Sequence, residues 1–404
     1  MLQCKTKNLY FKKKLGDLIL FLRNGISNEQ VDIYTDFPVT RIETIADGKI
    51  DYNRVGHVEK APEDYRILQW DILVSNINSQ KHIGKVAIKD DNKVLYHGMN
   101  LLLMRPNETI DSKFLFYVLN FNKQYFERIA SPAVNQSSIN QIDMQKMEFI
   151  IPKDKSKQEQ IANILSTCDE VIEKTEETIE KYKQIKAGMM QDLFTRGLDA
   201  NGKLRPTYTQ APDLYKYSKE LDRHIPKEWD VKRLDEIGEM KSGDGITAKN
   251  IFITGIYPVY GGNGLRGYTS NYTHEGEYVL IGRQGALCGN INKASGKFFA
   301  SEHAVVVTLY DDNNVDWVFY KYTDLNLNQY SEASAQPGLS VQKISKIKID
   351  IPKGPEQKNI SIRLNLVDKK IKLEAEYLNK YKQIKQGLMK RLLTPPADAE
   401  IVEE

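Results

Sequence analysis

The chain has 404 residues, enough for two or three domains of ordinary size, each able to bury its own core. Lysine plus arginine number 57 against 54 acidic residues, a net charge of +3, so any surface for nucleic acid must come from local segregation of charge. Three scattered cysteines (Cys4, Cys168, Cys288) and the lack of a Cys-x-x-Cys or Cys/His cluster argue against zinc and for a reducing compartment. No signal-peptide core and no uninterrupted apolar run near 18 residues is present, which points to a cytoplasmic protein.

From about residue 10 to 150 the pattern is one of short strands, turns and brief helices. Phe37 to Ile45 reads as a strand, followed by a turn at ADGKID. Asp71 to Ile77 and Gly84 to Asp90 read as a strand pair, and Asn100 to Pro106 as a buried strand closed by proline. Asp111 to Phe121 starts on an aspartate cap and reads as a short helix. The polar stretch after Ser131 reads as a loop, and IDMQKMEFIIP alternates into a final strand.

Residues 151 to 195 then carry a heptad helix: Ile161, Cys168, Thr175, Tyr182 and Met189 recur every seven positions, with Ile164 or Leu165, Val171 or Ile172, Ile179, Ile185 and Leu193 on the neighbouring seam. A second copy at 351 to 394 places Ile360, Val367, Glu374, Tyr381 and Leu388 on one stripe and Leu364, Ile371, Leu378, Ile384 and Leu392 beside it. Both copies open on IPK and share KYKQIK, and Gly188, Met190, Leu193 and Thr195 recur as Gly387, Met389, Leu392 and Thr394. Two matched apolar stripes in one chain predict that the helices pair with each other, as antiparallel rods of roughly 40 residues, on the order of 60 Å long.

Between them, residues 196 to 228 contain three prolines and little periodicity and read as a linker. The first globular pattern then begins again. Leu234 answers Leu15, YPVYGG answers FPVTRI, FFASEHAVVVTLY answers LYHGMNLLLMRP, and Gln136 and Gln336 each stand 16 positions before the proline that opens their helix. The chain is a tandem duplication of a globular domain followed by a long helix. Its expected fold class is mixed α+β: two globular recognition domains joined by two long antiparallel coiled-coil helices, a pseudo-two-fold internal repeat. The boundaries fall at 1–150, 151–197 (helix), 198–227 (linker), 228–352, 353–395 (helix) and 396–404 (tail).

No phosphate loop, dinucleotide fingerprint, His-Glu-x-x-His or nucleophile elbow occurs, and the Asn/Asp-Pro-Pro-aromatic signature of amino-methyltransferases is missing. The glycine-rich Tyr260 to Tyr268 reads as a turn, because no helix pattern follows it, and His303 reads as a strand-edge or core histidine. The sequence carries no catalytic constellation. Its loops instead offer base-reading side chains beside glycine and aromatic residues. In the first head these are Arg23, Arg41, Lys81, His82, Asn135 and Gln136; in the second they are Lys241, Asn263, Arg266, Tyr268, Arg283, Gln284 and Gln336.

In order and in duplicate, the blocks WDVKRLDEIGEMKSG, YVLIGRQGALCG, GLSVQKISKIKIDIP, EQIANILSTCDEVIEK and KYKQIKAGMMQDLFT resemble the specificity subunit of a type I restriction-modification system, with GLDANGKLRP and HIPKEWDVKRL resembling its linker. The resemblance implies two target-recognition domains, each reading one half of a bipartite asymmetric DNA site, spaced by helices that dock two modification subunits. Those partners would bind S-adenosylmethionine and methylate adenine, and two nuclease-translocase subunits using ATP and Mg would complete the complex; this chain itself would bind no cofactor. Two departures stand out. The second helix opens with the more polar IPKGPEQKNISIRLN, and the first head lacks the Pro-x-x-Trp entry that Pro226 and Trp229 give the second. The competing readings are a coiled-coil adaptor whose heads bind proteins, and a self-contained DNA-modifying enzyme.

Overall fold

A computed structural model describes residues 9–46, 48–78, 83–132, 137–285, 288–311, 313–331 and 338–403. The chain divides into two compact units, residues 1–176 with 377–404, and residues 177–376. Both boundaries fall inside the long helices Lys155–Thr195 and Gly354–Leu392.

In the first unit a four-stranded antiparallel sheet runs in the order Ile19–Asn24, Leu102–Pro106, Ile72–Val74, Val86–Ile88. Both its faces are buried, which is why its strands read as unbroken apolar runs. Ile72, Val74, Leu102 and Met104 face one core, together with Phe114 and Leu115 of the helix Ser112–Phe121. Leu73, Leu101 and Leu103 face the other, with Ile67 and Leu95. The helix is capped as expected, Asp111 accepting from the Phe114 N–H at 2.7 Å. The predicted strand over Phe37–Ile45 is shorter than expected. Pro38–Val39 pairs at its start, but a 3-10 turn at Ile42–Thr44 interrupts it before Ile45, because the Thr44 hydroxyl accepts from the Arg41 N–H at 2.7 Å and curls the chain. Ile45–Ala46 pairs antiparallel with Lys49–Ile50, and the stretch leading into the strand Glu148–Pro152 opens with a short helix, Gln141–Gln145, capped by Asn140. The strand Leu9–Lys14 pairs antiparallel with Glu148–Pro152 and parallel with the C-terminal strand Glu400–Glu403.

The second unit repeats this plan with a larger sheet: Gly238–Ser242, Ala304–Leu309, His274–Gly282, Ile291–Ala300, Tyr257–Gly261, Gly264–Thr269. Leu15 and Leu234 are buried at the same station, their N–H groups bonding to Met147 and Ile347 carbonyls at 2.8 and 3.0 Å. The two strand ends read as equivalent from sequence also match: Val39 pairs parallel with Tyr96, and Val259 with Phe299.

Each head is joined to its long helix by one buried glutamine. Gln158 donates to the Pro152 carbonyl at 2.8 Å and accepts from the Asp111 N–H at 2.9 Å; Gln357 does the same with Pro352 at 2.9 Å and Asn314 at 2.8 Å. A neutral side chain with both donor and acceptor satisfies two backbone groups that burial would otherwise leave unpaired. The cores also take in both helices. Ile161 and Leu165 lie in the first core, with Leu388, Met389 and Leu392 packed against it, and Leu193, Phe194, Ile360 and Leu364 lie in the second.

Within each unit the helix segments run antiparallel. In the second, Lys186 meets Asp368 at 2.8 Å while the Leu198 N–H, just past the first helix, donates to Glu356 at 2.7 Å; in the first, Lys385 meets Asp169 at 2.5 Å. Ile161 and Ile360 are buried on the seam, and Cys168, Tyr182, Met189, Val367, Tyr381 and Leu388 are half-buried there. Ile185 and Ile384 depart from their expected place, being 41% and 53% exposed. Lys186 and Lys385 take the seam instead. Each lysine finds an aspartate and a tyrosine ring waiting: Lys186 lies 5.0 Å from the Tyr320 ring and Lys385 5.7 Å from that of Tyr117. The two phenols donate to the same aspartates at 2.6 and 2.7 Å. Burial first, and the carboxylate beside each, push both phenol pKa values up, so the tyrosines stay protonated donors.

The stretch 198–227 folds back rather than hanging as a tether. Tyr215–Ser218 and Arg223–Pro226 form a hairpin, and Arg205 is buried against Glu356 at 2.6 Å and Glu228 at 2.9 Å. Trp229 also donates to Glu356, at 3.1 Å. At the matching place in the first head, which lacks that tryptophan, Lys157 sits 4.8 Å from the Tyr10 ring. A cation on a ring replaces a carboxylate on an indole.

Candidate nucleic-acid interface

In the second head Asn263, Arg283 and Gln284 lie at loops of the six-stranded sheet, while Lys241, Arg266 and Tyr268 lie on its strands. Its edge hairpin turns at Gly261 to Gly264, so the glycine-rich stretch is a turn only at residues 262–263, and residues 264–268, expected to be turn as well, form the returning strand. Asn263 at its tip accepts from Asn290 at 3.4 Å. Gly262 lets this turn approach the next loop closely: a Cβ there would lie 3.1 Å from the Gln284 carbonyl. Arg283 donates to Ser242 at 3.0 Å, and Gln284 bridges to Gly338. Ser242, Arg283, Gln284 and residues 338–342 line a cleft of about 610 Å³. Asn263, Arg283 and Gln284 are therefore neighbours, and Lys241, paired with Glu239 at 2.8 Å, adjoins Ser242 in the chain. Arg266 is exposed and Tyr268 half-buried on the edge strand Gly264–Thr269. His303 is partly exposed in the turn before the strand Ala304–Leu309, with Glu302 3.2 Å away.

In the first head Arg41 follows the short strand Pro38–Val39 and lines two clefts, of about 460 and 220 Å³. Its Nε donates to Gln30 at 2.5 Å. Tyr34, on the rim of the larger cleft, is 92% exposed. Arg23 is engaged internally: its guanidinium lies 4.6 Å from both the Phe21 and Tyr65 rings and donates to the Asp64 carbonyl. Lys81, His82, Asn135, Gln136 and Gln336 lie outside the described residues. Gln30, Tyr34 and Ser242 join the sites without having been singled out from sequence. Nothing in their spacing marks them, and only Ser242, inside the Lys241 to Gly245 stretch, lay next to a chosen residue. Among the described residues no group of three His, Cys, Asp or Glu side chains could hold a metal ion, and no helix is long and apolar enough to cross a membrane.

Comparison with known proteins shows the family of the chain. The family model for the type I restriction modification DNA specificity domain matches residues 10–184 and again 226–383. A type I restriction enzyme specificity subunit described as MjaX, from Methanocaldococcus jannaschii, is 32% identical over 417 residues, covering 95% of this chain and 92% of that protein. The Escherichia coli EcoprrI specificity subunit is 48% identical over 141 residues, 34% of this chain and 35% of that one. The crystal structure of a type I restriction-modification S subunit from M. genitalium superposes with a TM-score of 0.66 at 20% identity, covering 98% of this chain and 99% of that one, a likeness of fold. With the family model matching each half and a relative spanning nearly its whole length, the chain belongs to the type I restriction-modification specificity subunits, and its function is recognition of a DNA target.

Proposed function

We propose that each head reads one half of a bipartite, asymmetric DNA site and that the long helices set the gap between the halves and dock two modification subunits, adenine methyltransferases that carry S-adenosylmethionine. Two restriction subunits using ATP and Mg complete the assembly, and this chain contributes no catalytic group. The observation that carries the reading is a contrast between the heads. Their junctions to the helices are built alike, through Gln158 and Gln357, while their loops present different side chains, Arg41 with Gln30 in one and Asn263, Arg283 and Gln284 in the other. A common scaffold bearing different readers suits a non-palindromic target. Ile164, Val171 and Ile185 on the first long helix, and Leu366, Leu373 and Ile384 on the second, are exposed apolar residues of the kind a docked partner covers.

The test is single-molecule methylome sequencing of a host strain with and without this chain, its modification subunit being kept. Loss of a two-part adenine-methylated motif along with the chain is the expected result; an unchanged methylome would move the adaptor reading ahead. Inserting one heptad into both helices adds about 10 Å of helix, so the gap is expected to change by roughly 3 base pairs with both half-sites retained. An unaltered gap would end the role of the helices as a spacer.

A further inference from the structure

The heads contain arginines in plenty, but almost all are committed within the fold. In the first head Arg54, Arg66 and Arg105 pair with Asp51, Glu63 and Asp71, while Arg23 and Arg128 lie on aromatic rings. In the second, Arg223 and Arg233 pair with Asp350 and Asp235, and Arg283, one of the cleft side chains named above, has one of its two terminal nitrogens occupied by Ser242. Two differ. Arg41 is held through Nε alone, by the neutral Gln30, which leaves both terminal nitrogens without a partner among the described residues. Arg266 has no hydrogen bond, ion pair or ring contact among them and stands exposed.

Each packs closely against a glycine. Neither Gly56 nor Gly261 has the positive φ that favours glycine. A Cβ at 56 would stand 2.5 Å from the Gln30 Oε1 and 2.6 Å from the Arg41 Nε, and a Cβ at 261 would run into the Arg266 Cδ. The missing side chain makes room for the Gln30–Arg41 pair in one head and for the Arg266 stem in the other. The two lie in the same region of the repeated fold, though not at equivalent positions: Arg41 lies two residues beyond Val39, where that strand pairs with Tyr96, and the residue two beyond the matching Val259 is Gly261, against which Arg266 packs from the adjoining strand Gly264–Thr269.

We propose that Arg41 and Arg266 are the specificity-determining arginines of their heads, each reading the O6 and N7 edge of one guanine in its half-site. A planar fork of two parallel donors matches that edge and no other base, and a clamp on Nε fixes the plane of Arg41 without using the donors that would do the reading. A charge neutralised by a carboxylate would lose attraction for DNA; one held by an amide keeps it. The inference rests on the assignment of one half-site to each head, and it names the residue and base in each.

The test uses the full chain assembled with its modification subunits. Methylomes are compared for the wild type, Arg41→Ala, Arg41→Lys, Arg266→Ala and Arg266→Lys, with thermal unfolding as a check on folding. Each alanine variant is expected to keep the other half-site intact and to lose discrimination at one G·C pair of its own, guanine preference there falling about tenfold or more. The lysine variants, which keep the charge but lose the fork, are expected to lose the same position. Full retention of the motif in the alanine variants would overturn the proposal. So would uniform weakening at all sites that lysine restores, the mark of a phosphate contact. A wild-type complex that methylates no bipartite motif would instead defeat the half-site assignment itself.

Discussion

Replacing Asp350 by alanine will destabilise the second unit by about 3–5 kcal/mol, the cost of stripping a buried cation of its partner. Asp350 is fully buried on the strand Lys348–Ile351, where Lys321, itself buried, stands 2.8 Å from one carboxylate oxygen and Arg223 stands 2.7 Å from the other. Removal of the carboxylate leaves Lys321 facing the Phe194 ring at 5.2 Å with no anion bonded to it. Arg223, 38% exposed, can turn to water, so most of the loss comes from Lys321. Urea unfolding of the full chain, comparing Asp350→Ala with the double variant Asp350→Ala, Lys321→Met, measures this directly. The double variant is expected to recover most of the loss, since an apolar pair replaces an unpaired charge. A double variant as unstable as the single one would show that packing around residue 350, not the orphaned cation, sets the effect.

Acidification is expected to weaken the first head well before its carboxylates titrate. His97 is buried, its Nε2–H donating to the Leu101 carbonyl at 3.0 Å, while Nδ1 has no partner among the described residues. Burial, chiefly, holds its pKa down at about 4, against 6.5 for an ordinary histidine. A depressed histidine pKa means that the unfolded chain takes up its proton first. The contribution is therefore whole above pH 6.5, falls by about 1.4 kcal/mol per pH unit below it, and is lost by pH 4, roughly 3 kcal/mol in all. Hydrogen exchange in the strand Leu102–Pro106, followed between pH 7 and pH 4.5 after correction for intrinsic rates, reads the loss. The variant His97→Gln, which keeps a donor for Leu101 but no titrating ring, should show a flatter dependence. An identical slope in that variant would place the proton elsewhere.

Much of the architecture could be read from the chain because its signals are local. Heptads announce the long helices, apolar runs such as Leu101 to Met104 announce strands buried on both faces, and Asp111 announces a helix start three residues before the N–H it caps. What escaped depends on partners distant in sequence. The segment 198–227 looks like a tether because its cohesion comes from Arg205 with Glu356 and Arg223 with Asp350, pairs that no window of sequence contains. The 3-10 turn at Ile42–Thr44 was hidden by an alternation of apolar residues that suits a strand equally well. Ile185 and Ile384 looked better suited to the seam than their lysine neighbours, since only tertiary structure supplies the aspartate and tyrosine that each lysine meets. The interface was legible as a composition of loops. Which of its arginines are spent on the fold depends on partners far away in sequence, such as Asp71 for Arg105 and Asp350 for Arg223.

The seam lysines carry a consequence for how the helices find their alignment. An apolar stripe that repeats every seven residues resembles itself after a shift of seven, so grease alone distinguishes poorly between neighbouring alignments. Moved by one such step along its neighbour, Lys186 would come opposite Ser361 or Ala375 in place of Asp368. The helix pair of the second unit is thus keyed like a toothed rail with one odd tooth, and the first unit has its own in Lys385 with Asp169.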